Sequence, residues 1–132
     1  MNKEEEKLKI LGTTLYWGEG YKTNTAFGVD FANSDSEMIR IFMNFLRKIC
    51  GINESKLRIQ LYCYSNQHPT KLVSFWSKIT KIPRKKFIKP YVRKDFKESQ
   101  IGKMKNGLIH VRYHDKKLLI QLRDLIGCTM LI

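Results

Sequence analysis

The apolar positions of this chain keep two different periods, and the changes between them mark its elements. Leu8, Leu11 and Leu15 recur at helical spacing, while Gly12, Tyr16 and Glu19 or Gly20 fall along a second stripe of the same helix. Asn2 followed by Glu4, Glu5 and Glu6 supplies a cap and acids suited to the positive end of the helix dipole. A helix is therefore predicted over about residues 4–18, stopping where Glu19 stands between two glycines that let the chain turn sharply. With two apolar faces it needs two things to pack against, and Gly12 would admit a second backbone on the second stripe. Phe27, Val29 and Phe31 then alternate with Gly28 and Asp30, as a strand over 26–32 does. Ser34 to Glu37 forms a capping box before a helix with Met38, Ile41, Phe42, Phe45, Leu46 and Ile49 on one side, closed by Gly51.

From Leu57 to Tyr64 the period becomes two. Leu57, Ile59, Leu61 and Cys63 point one way, and Arg58, Gln60, Tyr62 and Tyr64 the other. Pro69 suits the first turn of a helix over about 69–80, whose buried stripe is Leu72, Phe75, Trp76 and Ile79; at that spacing the aromatic pair reads as core. Phe87 to Arg93 reads as a strand with Lys89, Tyr91 and Arg93 opposite Ile88 and Val92, and Pro90 makes it an edge strand or a bulged one. A lysine-rich polar stretch over about 94–106 is expected to be a mobile loop. In the last strand, Leu108 to His114, Ile109, Val111 and Tyr113 face inward and His110, Arg112 and His114 outward. Asp115 caps a final helix bearing Leu118, Leu119, Leu122, Leu125 and Ile126, with Gly127 as its stop. The sum is one α+β domain of two layers, with helices over the apolar face of a sheet whose other face is polar and basic.

Composition changes this picture in one respect. At 132 residues, 42% apolar and 28% charged, the chain is an ordinary globular length and mixture, but its net charge is +13. That charge is uneven: residues 1–33 hold 4 basic and 5 acidic side chains, whereas residues 84–117 hold 12 and 3. A field of this sign points first to a polyanion, and nucleic acid is the leading candidate beside the plainer reading of a soluble protein with a basic surface. Cys50, Cys63 and Cys128 have neither zinc spacing nor an even count, no apolar run is long enough to span a membrane, and no signal pattern opens the chain. A cytoplasmic protein with no membrane and no small-molecule substrate is expected.

The polar strand faces carry Arg58, Gln60, Tyr62, Lys89, Tyr91, Arg93, His110 and Arg112, and Lys85 and Lys86 stand just before one of them. Arginine and glutamine on a sheet surface can read base edges while lysines hold phosphates; the same set also describes the wet side of an ordinary sheet. The three histidines, His68, His110 and His114, have no metal-site spacing.

Leu11 to Gly20, above all Leu15-Tyr16-Trp17-Gly18-Glu19-Gly20, resembles the LAGLIDADG motif of homing endonucleases, an apolar helix with small residues that ends in an acid followed by glycine. Thr13 and Thr14 stand where small residues are usual, Trp17 is bulky, and glutamate replaces the commoner aspartate. The order of elements is similar to the family's half-domain, with the helix at 69–80 as an insertion. The resemblance implies a mixed or antiparallel sheet forming a basic concave saddle over double-stranded DNA. It also implies a metal site of Mg²⁺ or Mn²⁺ at Glu19 and the Gly20 carbonyl, with Lys22 and Gln60 as candidates for supporting catalysis. Since the chain has one such motif, it further implies a homodimer joined along Gly12, Thr13 and Tyr16 and a near-palindromic target. A relative that binds DNA without cutting it is the alternative.

Overall fold

The computed structural model describes residues 1–20, 28–94 and 104–130, the side chains of 128–130 excepted. Helix α1 runs from Lys3 to Glu19, and the Asn2 side chain accepts the Glu5 N–H at its start. It passes through Gly18 and ends at Gly20, whose backbone is extended (φ −86°, ψ 153°), so the chain leaves the helix without a left-handed glycine. Strand β1 is Val29–Asn33 and helix α2 is Ser36–Lys48. The cap of α2 is Asp35, one residue later than the capping box places it: its carboxylate accepts from the Glu37 and Met38 N–H groups, and Glu37 pairs forward with Arg40. A 3-10 turn at Glu54–Lys56 leads into β2, Leu57–Tyr64. Helix α3, Pro69–Thr80, is followed by a second such turn at Arg84–Lys86 and by β3, Phe87–Arg93. Strand β4 is Leu108–Tyr113, and α4, Lys116–Met130, continues through Gly127 rather than stopping there. Asp115 caps α4 by accepting the Leu118 N–H, as its position suggests.

The four strands form one mixed sheet in the order β1-β4-β2-β3. Strand β4 is antiparallel to both β1 and β2, while β3 lies parallel to β2 at the edge. A parallel pair needs a crossover of a dozen residues or more, and α3 is that crossover. The helix that looks like an insertion thus decides the direction of the last edge. Trp76 of α3 is fully buried and donates its indole N–H to the Asn106 carbonyl at 2.6 Å, which confirms it as core.

The inward faces of the strands, including Val29, Phe31, Ile59, Leu61, Cys63, Ile109 and Val111, join Ile39, Phe42, Phe45 and Leu46 of α2 and Leu119 and Leu122 of α4 in one buried cluster. Helix α1 lies against α2 and α4. Its contribution to the core is Tyr16, stacked on Phe42 with ring centroids 5.8 Å apart, and Gly12, whose missing Cβ leaves room for the Phe45 ring, with Leu8 and Leu15 half-buried against the cluster. Among the described residues no helix is long and apolar enough to cross a membrane.

Candidate functional site

Because alternate residues of a strand face opposite sides, burying Ile59, Leu61, Ile109 and Val111 forces Gln60, Tyr62, His110 and Arg112 onto the face away from the helices. The register aligns them in rows: Asp30, Arg112 and Arg58 lie across β1, β4 and β2, and Ala32, His110 and Gln60 form the next row. On β3 the alternation is interrupted. Ile88 pairs with Gln60 and Tyr91 with Tyr62, so three residues of β3 step past two of β2 at Lys89 and Pro90. Strand β3 is therefore both an edge and irregular, and the expected grouping of Lys89 with Tyr91 and Arg93 changes: Ile88 takes the row beside Gln60, and Lys89 sits in the irregularity. The Lys89 carbonyl accepts the Gln60 side-chain N–H at 3.0 Å.

The side chains of this face are tied to one another. Arg112 donates to Asp30 Oδ2 (3.2 Å), to Gln60 Oε1 (2.6 Å) and to the Tyr62 hydroxyl (3.3 Å). His110 Nδ1 lies 2.9 Å from Asp30 Oδ1. The Tyr62 ring stands between those of His110 (centroids 4.4 Å) and Tyr91 (5.0 Å), and Tyr91, 53% exposed, ends the row. Burial pushes the Asp30 carboxyl up, but the hydrogen bonds and charges of His110 and Arg112 outweigh it and hold it below the usual carboxylate range. For Arg112, burial acts downward and is overcome by the Tyr62 and Asp30 contacts, which raise its pKa. Arg58 is docked differently, donating to the Ser55 and Leu57 carbonyls at 2.7 and 2.8 Å.

The end of α1 is brought to this face from the side. Gly20 forms an isolated antiparallel bridge with Phe31, and the Tyr16 hydroxyl accepts the Asp30 N–H at 3.3 Å. Burial raises the Tyr16 pKa to about 12, so that hydroxyl stays neutral. Glu19, Gly20, Asp30, Ala32 and His110 consequently line one shallow cleft of about 330 Å³. Glu19 is exposed and makes no hydrogen bond or ion pair among the described residues. It offers hard oxygen donors, with the Gly20 carbonyl next in the chain, whereas both Asp30 oxygens are engaged. No group of three His, Cys, Asp or Glu able to hold a metal occurs among the described residues. One carboxylate and one carbonyl nevertheless fit part of an Mg²⁺ shell, because that ion keeps several waters and takes one or two carboxylates plus phosphate oxygens.

Two expectations are corrected by this arrangement. Gly12, Thr13 and Tyr16 cannot be a seam between copies, since all three are buried inside the chain, Gly12 against Phe45 and Tyr16 against Phe42. Leu11, expected in the core, is 49% exposed, and Ile10 is 60% exposed, so the free apolar face of α1 is the opposite one. Lys85 lines a separate depression with Arg84, Pro69, Thr70, Val73 and Pro90, and Lys86 is exposed in the same turn. Lys22 and the stretch 95–103 of the expected loop lie outside the described residues. Asp30 is the residue of this face that sequence reasoning passed over, although its signal was present: a lone acid on the polar phase of an otherwise apolar strand.

No protein-family model, curated protein or solved structure matches this chain.

Proposed function

We propose that this chain is one half of a homodimeric, Mg²⁺- or Mn²⁺-dependent DNA endonuclease of the LAGLIDADG type, hydrolysing phosphodiester bonds at a near-palindromic site in double-stranded DNA. The observation that carries the reading is the meeting of Glu19, unpaired among the described residues and at the end of the motif helix, with a sheet face bearing Gln60, Tyr62, Tyr91, His110 and Arg112. In a folded chain of charge +13, that face suits a duplex better than a small ligand. Glu19 and the Gly20 carbonyl would hold the metal, whose chemistry is to neutralise charge on the phosphate and favour in-line displacement. Arg112 and Gln60 are pre-oriented by their mutual bond, so their role is to present fixed donors, while Lys85, Lys86 and Arg93 contribute sequence-independent phosphate attraction.

The pairing face has to be the solvent side of α1: Ile10, Leu11, Thr14 and Gly18, with Trp17 beside them. Around Gly18 nothing described lies within 4 Å of an added Cβ, so a second helix has room to approach there. A two-fold axis along this stripe would bring the C-terminal ends of the two helices to the same side of the dimer, with each Glu19 turned toward the cleft of its own sheet face.

One observation favours the alternative of a DNA binder that does not cut, namely that the cleft offers Glu19 alone as a carboxylate not already engaged, with no group of three metal-ligating side chains among the described residues. The two readings separate in a cleavage assay on a pooled duplex library with Mg²⁺ or Mn²⁺, wild type against Glu19→Gln. The endonuclease reading expects cutting by the wild type only, with binding retained by both. Salt-dependent binding by both with no cutting by either leaves the binder.

A further inference from the structure

His110 occupies an unusual position for a residue whose first expected part is to touch DNA. It lines the cleft with Glu19, yet one of its ring nitrogens is spoken for: Nδ1 lies 2.9 Å from Asp30 Oδ1. An ionised carboxylate has only acceptors, so Nδ1 must carry the hydrogen of that bond, and in the neutral ring the lone pair is then on Nε2. Two contacts fix the imidazole, and a third fixes its carboxylate partner. Asp30 holds its Nδ1 edge, Arg112 holds Asp30 from the other oxygen at 3.2 Å, and the Tyr62 ring packs against it at 4.4 Å. Nε2 makes no hydrogen bond among the described residues.

We propose that His110 is the proton acceptor of the cleavage reaction, with Asp30 as the positioning residue that sets its tautomer. This rests on the endonuclease reading and adds to it a named base. The water oxygen forms the new bond to phosphorus and gives a proton to His110 Nε2. The bond from phosphorus to the leaving oxygen breaks, that oxygen takes a proton from solvent, and His110 returns its own proton to solvent. The groups facing the ring are Asp30 from β1, Tyr62 from β2, Arg112 on β4 behind Asp30, and Glu19 at the end of α1 across the cleft. A carboxylate that orients an imidazole without itself taking the proton is the arrangement by which serine hydrolases prepare their base. Here it would act on water.

The test uses the full-length protein and a duplex that the wild type cuts, recovered from the pooled library. His110→Gln should lower single-turnover cleavage, measured with the duplex saturated by protein so that any loss of affinity does not enter, by about 10²- to 10³-fold, as expected when a general base is removed from an intact site. Adding free imidazole to His110→Ala should restore part of the rate, which a structural role would not produce. Independently of activity, ¹⁵N spectra of the imidazole in the metal-free wild type should show a protonated Nδ1 and a bare Nε2. The opposite tautomer overturns the proposal even where the variants fold poorly. A wild type that cuts while His110→Gln cuts equally fast removes the role of His110 and leaves the endonuclease standing. A wild type that cuts no duplex removes both.

Discussion

Asp30 is the residue on which the polar face depends. Its two carboxylate oxygens take the His110 ring and the Arg112 guanidinium, and its side chain is only 28% exposed, so solvent replaces those partners poorly. Asp30→Asn keeps the volume but removes the charge that both partners need. At pH 7 the loss should be about 1.5–3 kcal/mol, the range for hydrogen bonds to charged groups. The pH dependence follows from the direction of the Asp30 shift. A carboxyl held below its ordinary range adds stability above about pH 3.9, where the unfolded residue is also ionised, and that addition disappears as the pH falls through the lower folded value. Urea unfolding of wild type and variant should therefore differ most near neutrality and converge in strong acid. A constant difference across the acid range would mean that the charge of Asp30 is not what stabilises the face. Tyr62 and Gln60 keep their bonds to Arg112 in this variant, which limits the damage to the β1 side.

At the scale of elements, α1 shows what the sequence can and cannot reveal. Its start, its length and its acid were legible, because capping and helical spacing are local properties. Which stripe faces inward was not, since a glycine, a threonine and a tyrosine signal burial only once a partner is known to fill the space above them. The partner is Phe45 of α2, whose ring lies where a Cβ of Gly12 would be. Gly12→Ala should thus overpack the α1–α2 contact and destabilise the chain by about 1–3 kcal/mol, readable in the thermal or urea midpoint. If Gly12 lay at a seam between copies, the same change would weaken association and leave the monomer's stability intact. Strand β3 carries the complementary lesson: Pro90 marked an irregular edge correctly, but the resulting change of face, which puts Ile88 beside Gln60, depends on where the extra residue falls in the register. Nor does a hydrophobic pattern say that α3 makes β3 parallel to β2, because strand direction depends on the crossover and not on the strand's own residues.

For the whole molecule, the question is how a chain with one Glu19 would complete a metal site. The uneven charge bears on it. Residues 1–33 hold 4 basic and 5 acidic side chains, so two copies can approach through α1 without bringing their basic regions together, and those regions remain available to a polyanion. The exposed stripe of Ile10, Leu11, Thr14 and Gly18 has the three- and four-residue spacing that lets helices interdigitate, and Leu11 lies on its edge toward α2. Replacing Leu11 by Glu places a charge at the proposed seam, where its counterpart from the other copy would face it across the two-fold axis. In the monomer the same side chain is half exposed, so folding stability should change by no more than about 0.5 kcal/mol. Sedimentation should then show a dimer for the wild type and a monomer for Leu11→Glu at the same micromolar concentration, with superimposable circular dichroism and melting. Cleavage should be lost with the dimer, while weak, salt-sensitive duplex binding persists, because phosphate attraction belongs to each chain separately. A wild type that remains monomeric both free and on its duplex would place the second carboxylate, and with it the pairing of copies through α1, out of reach.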